Sequence, residues 1–208
     1  QALKDITALL ASDDRGTRIG STVPIFAGWY RLHLDRAGGA QATKRLFDTA
    51  ASMTKNPDAG IRAAGVALLL ARGSRQPGAD AQRDEAVAKI LADATDDPAI
   101  VVRLTAAVTT MGGRGWRDRI PLVRKLLKDP SASVRLAAFM ALLDPASNND
   151  ETLLAELAAA TAREQNPINR VAMVLAGVVQ SARDEKRRDE AIAKAKALGN
   201  PWVNLALD

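Results

Sequence analysis

The chain carries few side chains of the kinds that perform chemistry. Its 208 residues include no cysteine and a single histidine, His33. Thiol nucleophiles, disulfides, cysteine-rich zinc sites and sites built on a pair of histidines are therefore excluded. The sequence also lacks a Gly-x-Ser-x-Gly elbow whose serine would need His33 as a base. The residue types consequently predict no enzyme activity, no metal site and no cofactor.

The stretch MGGRGWRDR, residues 111–119, is the first candidate for a phosphate-binding loop, because it combines glycines with basic residues. A dinucleotide fold would require a strand before the glycines, and a P-loop would require Gly-Lys followed by Ser or Thr. Neither pattern is present. Gly112 or Gly113 suits the left-handed cap of a helix that ends near Met111. We interpret the stretch as a turn between two helices.

A basic segment, residues 114–128, surrounds and follows this turn. We call its cations the basic patch: Arg114, Arg117, Arg119, Arg124, Lys125 and Lys128. Asp118 is the one acidic residue among them, and the resulting charge of +5 equals the net charge of the whole chain. The patch lies opposite an apolar helical stripe formed by Ile120, Val123, Leu126 and Leu127. With Trp116 as a neighbouring apolar contact, it could attract a phosphate backbone or an acidic partner, or it could be a solvated helix face.

An aromatic stripe is the second concentration of candidate binding residues. Trp29, Tyr30 and His33 follow Phe26 at i+3, i+4 and i+7, which places all four rings on one face of a helix. Exposed aromatic residues are favoured hot spots for binding. The same spacing also suits residues that pack in a core, so both interpretations stay open.

Three segments repeat one pattern along the chain. They are NPDAGIRAAGVALLL from Asn56, DPAIVVRLTAAV from Asp97 and DPSASVRLAAFMALL from Asp129. Each has Asp or Asn, then Pro, then Arg five residues after the Pro. The shared positions are Pro57, Pro98 and Pro130 with Arg62, Arg103 and Arg135. Two weaker copies begin at Asn166, where Arg170 comes two places early, and at Asn200.

Each copy of the pattern predicts the start of a helix. Asp or Asn caps a helix N-terminus, and Pro is favoured at the first helical position. The apolar stripe behind the first proline comprises Ile61, Ala64, Gly65, Leu68 and Leu69. A second periodic segment precedes each copy, so each unit is a hairpin of a first and a second helix, which must stack on its neighbours to bury both faces. The predicted units span residues 1–36, 40–73, 81–113, 117–144, 150–182 and 186–208.

Asp-Pro-x-x-x-Val-Arg between two such helices resembles the HEAT repeat, including the shorter HEAT-like variety of bacterial proteins and phycobilisome lyases. RIPLVRKLLKDPSASVRLAAFMALL, residues 119–143, carries the resemblance best. The resemblance covers nearly the whole chain and implies one all-α domain, a right-handed α-α superhelix (α-solenoid) of about five to six hairpins. It also implies that Asp97, Asp129 and the three repeated arginines form a hydrogen-bonded ladder along the turns. Asn56 and Asn166 stand where this ladder would have Asp.

The resemblance favours a non-enzymatic protein-binding or scaffold module that serves as a docking or regulatory domain. The binding face of the solenoid would be the side of the second helices that carries Arg31, Arg36, Arg72 and Thr109. The alternative is a nucleic-acid-binding protein that resembles HEAT-like DNA glycosylases and uses the basic patch. Aromatic residues make up only 3% of the chain, which leaves few rings for stacking on bases. A bilin-lyase-like or chaperone-like relative is a third interpretation, based on the repeat type alone.

The sequence also bears on the protein's context. No run approaches the roughly 18 apolar residues of a membrane span, and the polar start QALKD is not a signal peptide. We therefore expect a soluble protein of the cytoplasm or periplasm, and the abundance of Arg and Ala favours a bacterial source. Gln1 in place of Met predicts that the chain is processed or is part of a longer protein.

Overall fold

The computed structural model describes residues 13–14, 39–70, 81–109, 119–143, 151–181 and 185–201. These residues contain nine α-helices and no strand. The helices are α1 (Gly39–Met53), α2 (Ala59–Leu70), α3 (Ala81–Thr95), α4 (Ile100–Thr109), α5 (Ile120–Leu126), α6 (Ala132–Ala141), α7 (Glu151–Arg163), α8 (Pro167–Ser181) and α9 (Glu185–Lys196). The prediction of an all-α chain is confirmed for this part of the sequence. The superhelix, the number of hairpins and the domain boundaries stay predictions.

The chain divides into two compact units, Gln1–Leu122 and Val123–Asp208. In the first unit, α2 packs against α1, α3 and α4, and α3 packs against α4. In the second unit, α8 packs against α6, α7 and α9. Second helices of consecutive hairpins are therefore neighbours within each unit, α2 beside α4 and α6 beside α8.

The core of the first unit is built from small and branched aliphatic residues. One buried cluster joins α2, α3 and α4, and it consists of Ala63, Val66, Leu91, Ala94, Val102 and Ala106. The stripe predicted for α2 is confirmed, since all five of its residues are buried. Gly65 lets α1 approach closely, because a Cβ at this position would lie 2.8 Å from the carbonyl oxygen of Ala50 and 2.9 Å from Met53 Cβ.

The core of the second unit is centred on α6. Phe139 is its largest fully buried side chain, Val134 is buried on the same helix, and Leu142 is buried directly after the helix ends. Leu153 of α7 and Met173 of α8 are equally inaccessible. The first helices contribute Val123 and Leu126 of α5 and Leu157 of α7 to this core.

The turns between first and second helices correct one prediction from the sequence. The helices α2, α4 and α6 begin two residues after Pro57, Pro98 and Pro130, so these prolines lie in the preceding turn and not at the first helical position. The reason is that the Asp or Asn side chain before each proline accepts the N–H two residues on, which makes a turn ahead of the helix. Only α8 begins at its proline, Pro167.

The residues that cap these helices differ accordingly. Asp58 caps α2, because its Oδ1 accepts the N–H groups of Gly60 at 2.8 Å and Ile61 at 3.1 Å. Asn166 caps α8 as predicted, because its Oδ1 accepts the N–H groups of Ile168 and Asn169, both at 3.1 Å. Each cap satisfies backbone donors that have no partner inside the helix.

Candidate functional site

The ladder predicted from the sequence is present in the first unit as the pair Arg62 and Asp97. We call such a pair, an arginine bound to the carboxylate of the next turn, a rung. Arg62 of α2 donates from Nε to Asp97 Oδ2 at 2.7 Å and from Nη2 to Asp97 Oδ1 at 2.9 Å. The two residues are 35 positions apart and belong to consecutive hairpins. Paired N–H groups of one guanidinium on one carboxylate make a bidentate bridge, which fixes geometry as well as charge. The rung therefore ties the second helix of one hairpin to the turn of the next.

Each repeated arginine also holds its own turn. Nη1 of Arg62 donates to the carbonyl oxygens of Asn56 and Pro57, at 2.9 and 2.8 Å. Arg103 makes the same pair of bonds to Asp97 and Pro98, at 2.7 and 3.0 Å. Arg135 repeats them with Asp129 and Pro130, both at 2.9 Å. The arginines predicted to be structural are therefore engaged with backbone carbonyls that the turn leaves without intrahelical partners.

The rung of the second unit uses a residue that the motif does not predict. Arg135 donates from Nε and Nη2 to Glu164, at 2.9 and 2.6 Å. Oε1 of Glu164 also accepts the N–H of Asn166 at 2.8 Å, as Asp97 accepts the N–H of Ala99. Glu164 is thus the counterpart of Asp97, and the Asn166 that the resemblance puts in the ladder is a helix cap.

Glu164 also corrects the register of the last repeat. In each turn, we call the anchor the first residue whose side-chain oxygen accepts the backbone N–H two positions later. The anchors are Asn56, Asp97, Asp129 and Glu164. Each repeated arginine lies six residues after its anchor, and Arg170 lies six residues after Glu164. Arg170 is therefore in register, and only the proline has moved.

Asn169 occupies an apolar core position of this repeat. The fifth residue after each anchor is Ile61, Val102, Val134 or Asn169, and all four are buried. The Asn169 amide donates to the carbonyl oxygen of Ala132 at 2.6 Å and lies 3.5 Å from Glu164 Oε2. A buried amide is tolerated when it is hydrogen-bonded, and here it supports the rung carboxylate.

Both rung carboxylates are held in their charged form. Hydrogen bonding to the Arg135 guanidinium lowers the pKa of Glu164 from 4.5 to about 2, although burial of the side chain opposes this shift. The N–H of Asn166 and the amide of Asn169 lower the pKa further. Hydrogen bonding to Arg62 likewise lowers the pKa of Asp97. A carboxylate whose lone pairs accept hydrogen bonds in this way serves as a structural anion. Its pKa lies far below neutral pH, so it is unsuited to act as a general acid or base there.

The described part of the basic patch comprises Arg119, which is half-buried just before α5, and three cations on α5 and the turn that follows it. Arg124, Lys125 and Lys128 are exposed, while Val123 and Leu126 on the opposite face are buried. Arg124 forms an ion pair with Glu156 of α7, because its Nε and Nη2 donate to that carboxylate at 2.8 and 2.6 Å. Within the described residues, the patch is thus smaller than the sequence suggests.

Most other candidate binding residues lie outside the described residues. They are Arg114, Trp116 and Arg117 of the basic patch and Trp29, Tyr30 and His33 of the aromatic stripe, together with Arg31, Arg36 and Arg72. Thr109 is described, and its hydroxyl donates to the carbonyl oxygen of Ala106 within the same helix at 3.2 Å. The aromatic stripe stays a prediction.

The second helices present a surface that the sequence interpretation missed. Over their described lengths, α2, α4, α6 and α8 each contain a single charged residue, the arginine six positions after the anchor. The exposed side of α4, α6 and α8 instead carries large apolar residues. We call these the second-helix face: Val101 and Val108 in the first unit, and Met140, Ile168 and Val179 in the second. These residues recur four, eleven and fifteen positions after an anchor, a spacing that lies along one side of a helix. The absence of acidic residues from these helices is visible in the sequence and could have predicted this surface.

The second-helix face is well exposed in both units. Val108 in the first unit is 51% exposed, and Ile168 and Val179 in the second unit are 76% and 74% exposed. Small side chains at the eighth position after the anchor, Ala137 on α6 and Ala172 on α8, lie between the larger ones. Over the described lengths of these helices, each unit therefore exposes large apolar side chains, and Arg170 is the one charged residue that is exposed. Such a surface suits contact with another apolar surface.

Two further classes of site are absent from the described residues. No group of three or more His, Cys, Asp or Glu side chains there is placed to hold a metal ion. None of the described helices is both long enough and apolar enough to cross a membrane.

Comparison with known proteins identifies one segment. Residues 120–144 match the family model of the HEAT repeat. This segment contains α5, α6 and the turn with Asp129 and Pro130, where the repeated pattern is most complete. A search of curated proteins finds none that matches the chain. The predicted HEAT resemblance is confirmed for this segment, while the bacterial origin and the phycobilisome-lyase type stay predictions.

Proposed function

We propose that the chain is a non-enzymatic protein-binding module that docks a partner protein on the second-helix face. HEAT repeats generally mediate protein–protein interaction, which agrees with this role. In this proposal, the chain acts as a docking or regulatory domain of a larger bacterial protein. No cofactor or metal takes part.

One observation carries the proposal: the second helices expose large apolar residues, and Arg170 is the one exposed charged residue in their described lengths. A helix on the surface of a soluble protein normally has a charged outer side, and a helix that is apolar all round is normally buried. In α8, Ile168 and Val179 are exposed although most residues of the helix are apolar. A partner that covers this side would remove the apolar surface from water, which is favourable at roughly 25 cal/mol per Å² before the costs of association.

The charged groups of the described residues support a binding role over catalysis. Asp97 and Glu164, whose pKa values are lowered, are both bound by arginines and backbone N–H groups. Perturbed acids at catalytic sites face a cleft or a substrate, whereas these two face the turn that they hold together. Ladder and face are thus separate features of the same helices.

Site-specific photo-crosslinking in cells that make the protein tests the proposal. A photoreactive amino acid replaces Val108 of α4 or Val179 of α8, and matched controls replace Lys89 of α3 or Lys194 of α9. We expect each second-helix position to give a protein adduct that is stable to washing at high salt, and the two control positions to give none. Adducts at the control positions with none at Val108 or Val179 would contradict the proposal.

The nucleic-acid alternative is separated by the same experiment. It requires the basic patch, and Arg124 there is bound to Glu156. A crosslink at Lys125 that disappears on nuclease treatment, with no protein adduct at Val108, would replace our proposal with that alternative.

A further inference from the structure

The second unit contains a ladder arginine whose rung has no acidic residue. Arg62 and Arg135 each bind the carboxylate of the next turn, and their side chains are 16% and 20% exposed. Arg170 stands at the same position in α8 but is exposed. Arg170 therefore occupies the helix position from which Arg62 and Arg135 bind the carboxylate of the next turn.

The turn that follows α9 explains the exposure of Arg170. This turn precedes Pro201 and reads Leu198-Gly199-Asn200, so it carries no carboxylate where the earlier turns have Asp97, Asp129 or Glu164. Gly199 has a φ of 61°, a conformation that residues with a side chain rarely adopt. The chain thus provides the cation of a further rung without an anion in the turn that would complete it.

Two further cations border the turns that precede α6 and α8. Lys128 and Arg163 each lie one residue before an anchor, and both are exposed. The anchors themselves, Asp129 and Glu164, are buried. The bond from Asn169 to Ala132 shows that the two turns are neighbours, because it joins the starts of α8 and α6. This turn edge therefore presents exposed cations beside Ile168, the most exposed large apolar residue described.

We infer that the partner of the second unit is a protein segment that carries acidic and apolar side chains together. One of its carboxylates binds Arg170 in place of the missing rung acid, and an apolar side chain packs on Ile168 toward the second-helix face. The inference rests on the proposed function and names the chemistry of the partner. The complementarity of charge decides between acidic and basic segments, since a basic one would be repelled by Lys128, Arg163 and Arg170.

An acidic protein segment fits this edge better than a phosphate backbone. The rung arginines bind planar carboxylates with two parallel N–H groups, and Arg170 shares their place in the repeat. Ile168 at the same edge gives no electrostatic attraction to phosphate but favours an apolar side chain. Nucleic acid binding at this edge is therefore an outcome that the test must separate.

Three dye-labelled helical peptides test the inference by fluorescence anisotropy with the full chain. They share one apolar pattern of leucines and differ only in whether their charged positions hold Glu, Gln or Lys. We expect the Glu peptide to bind about tenfold more tightly than the Gln peptide, because a hydrogen bond to a charged group contributes at least that ratio. Added salt should reduce the difference, and the Lys peptide should not bind.

Variants locate the effect. Arg170→Glu should abolish the preference for the Glu peptide, Ile168→Ser should weaken the Glu and Gln peptides alike, and Lys194→Glu, an exposed charge reversal on α9, should change neither. Equal affinity for the Glu and Gln peptides, no binding of any peptide, or full binding by Arg170→Glu would overturn the inference. Single-stranded oligonucleotide that binds more tightly than the Glu peptide and is lost in Arg170→Glu would also overturn it. None of these results decides the proposed function, which the crosslinks at Val108 and Val179 test independently.

Discussion

The two sides of the second helices differ in which residues they bury and which they expose. Along the turn edge, the ladder places charged groups inside, with Glu164 only 1% exposed and bound to Arg135. Along the second-helix face, apolar residues such as Val108 and Val179 lie outside. In the described residues, the ladder pairs Arg62–Asp97 and Arg135–Glu164 join consecutive hairpins, whereas the proposed binding surface consists of uncharged residues.

This contrast reverses the usual expectation for a basic protein. The net charge of +5 directs attention to the basic patch, yet Arg124 there is paired with Glu156. If ladder and face have these separate roles, ladder variants should change stability and face variants should change binding. Variants of the two features should therefore separate stability from binding.

Removing the ladder arginine of the second unit should have the largest effect. Arg135→Ala leaves the buried Glu164 carboxylate without its counter-charge, so we expect the free energy of unfolding to fall by about 3–5 kcal/mol. Urea denaturation followed by circular dichroism measures the change. Arg170→Ala, which removes an exposed arginine at the same repeat position, is the matched control and should change stability by less than about 0.5 kcal/mol. Equal losses in the two variants would show that the rung is not what stabilises the unit.

Acid should weaken the same rung. The pKa of Glu164 is about 2 in the folded chain against an ordinary value of 4.5, so the folded state favours the charged form. Its contribution is complete above pH 4.5 and is lost as the pH falls through about 2, an effect on the order of 3 kcal/mol. Urea titrations between pH 2 and 6 measure it, and Glu164→Gln should flatten the dependence over this range. If Glu164→Gln kept the full dependence of the unfolding free energy on pH, other carboxyl groups would be responsible for the acid sensitivity.

Two glycines on second helices give a test of packing. Gly65→Ala places a Cβ 2.8 Å from a backbone oxygen of α1, so we expect a loss of about 1–3 kcal/mol. Gly177→Ala, where the new Cβ meets nothing within 4 Å, should stabilise α8 by about 0.5–1 kcal/mol. Thermal unfolding of the two variants measures the opposite signs. Stabilisation by Gly65→Ala would mean that α1 and α2 do not approach as closely as described.

Much of this architecture was predictable from the sequence. The helices, the buried stripe around Gly65 and the structural arginines follow from periodicity and from the spacing of Asp, Pro and Arg. The rung of the second unit was not, because Asn166-Pro167 imitates the motif two residues after the true anchor, Glu164. A carboxylate with a longer side chain reaches the same position from a different sequence, and only the geometry distinguishes the two readings.

The candidate site was less predictable than the fold. Single cations such as Lys125 and Lys128 are visible in the sequence, whereas the partner of Arg124 lies 32 residues away. The second-helix face consists of ordinary aliphatic residues, which the sequence alone cannot separate from core residues of the same type. Exposure distinguishes Val108 from its buried neighbours Ala106 and Ala107, and exposure depends on how the hairpins pack.

Substitutions on the second-helix face should have the smallest effect on stability. Val108→Ser and Val179→Ser remove side chains that are already more than half exposed, so we expect the free energy of unfolding to change by less than about 0.5 kcal/mol. Urea denaturation measures both variants, and Val102→Ser, at a fully buried position of α4, serves as the destabilised reference. A loss in Val108→Ser as large as that in Val102→Ser would place Val108 in the core.

The most direct test compares partner retention by two variants of equal stability. One carries Val108→Asp and Val179→Asp on the second-helix face, and the other carries Lys125→Glu and Lys128→Glu in the basic patch. We expect the partner identified by crosslinking to be lost from the first variant and retained by the second in a pull-down at matched concentration. Loss from the Lys125→Glu, Lys128→Glu variant with retention by the face variant would contradict it.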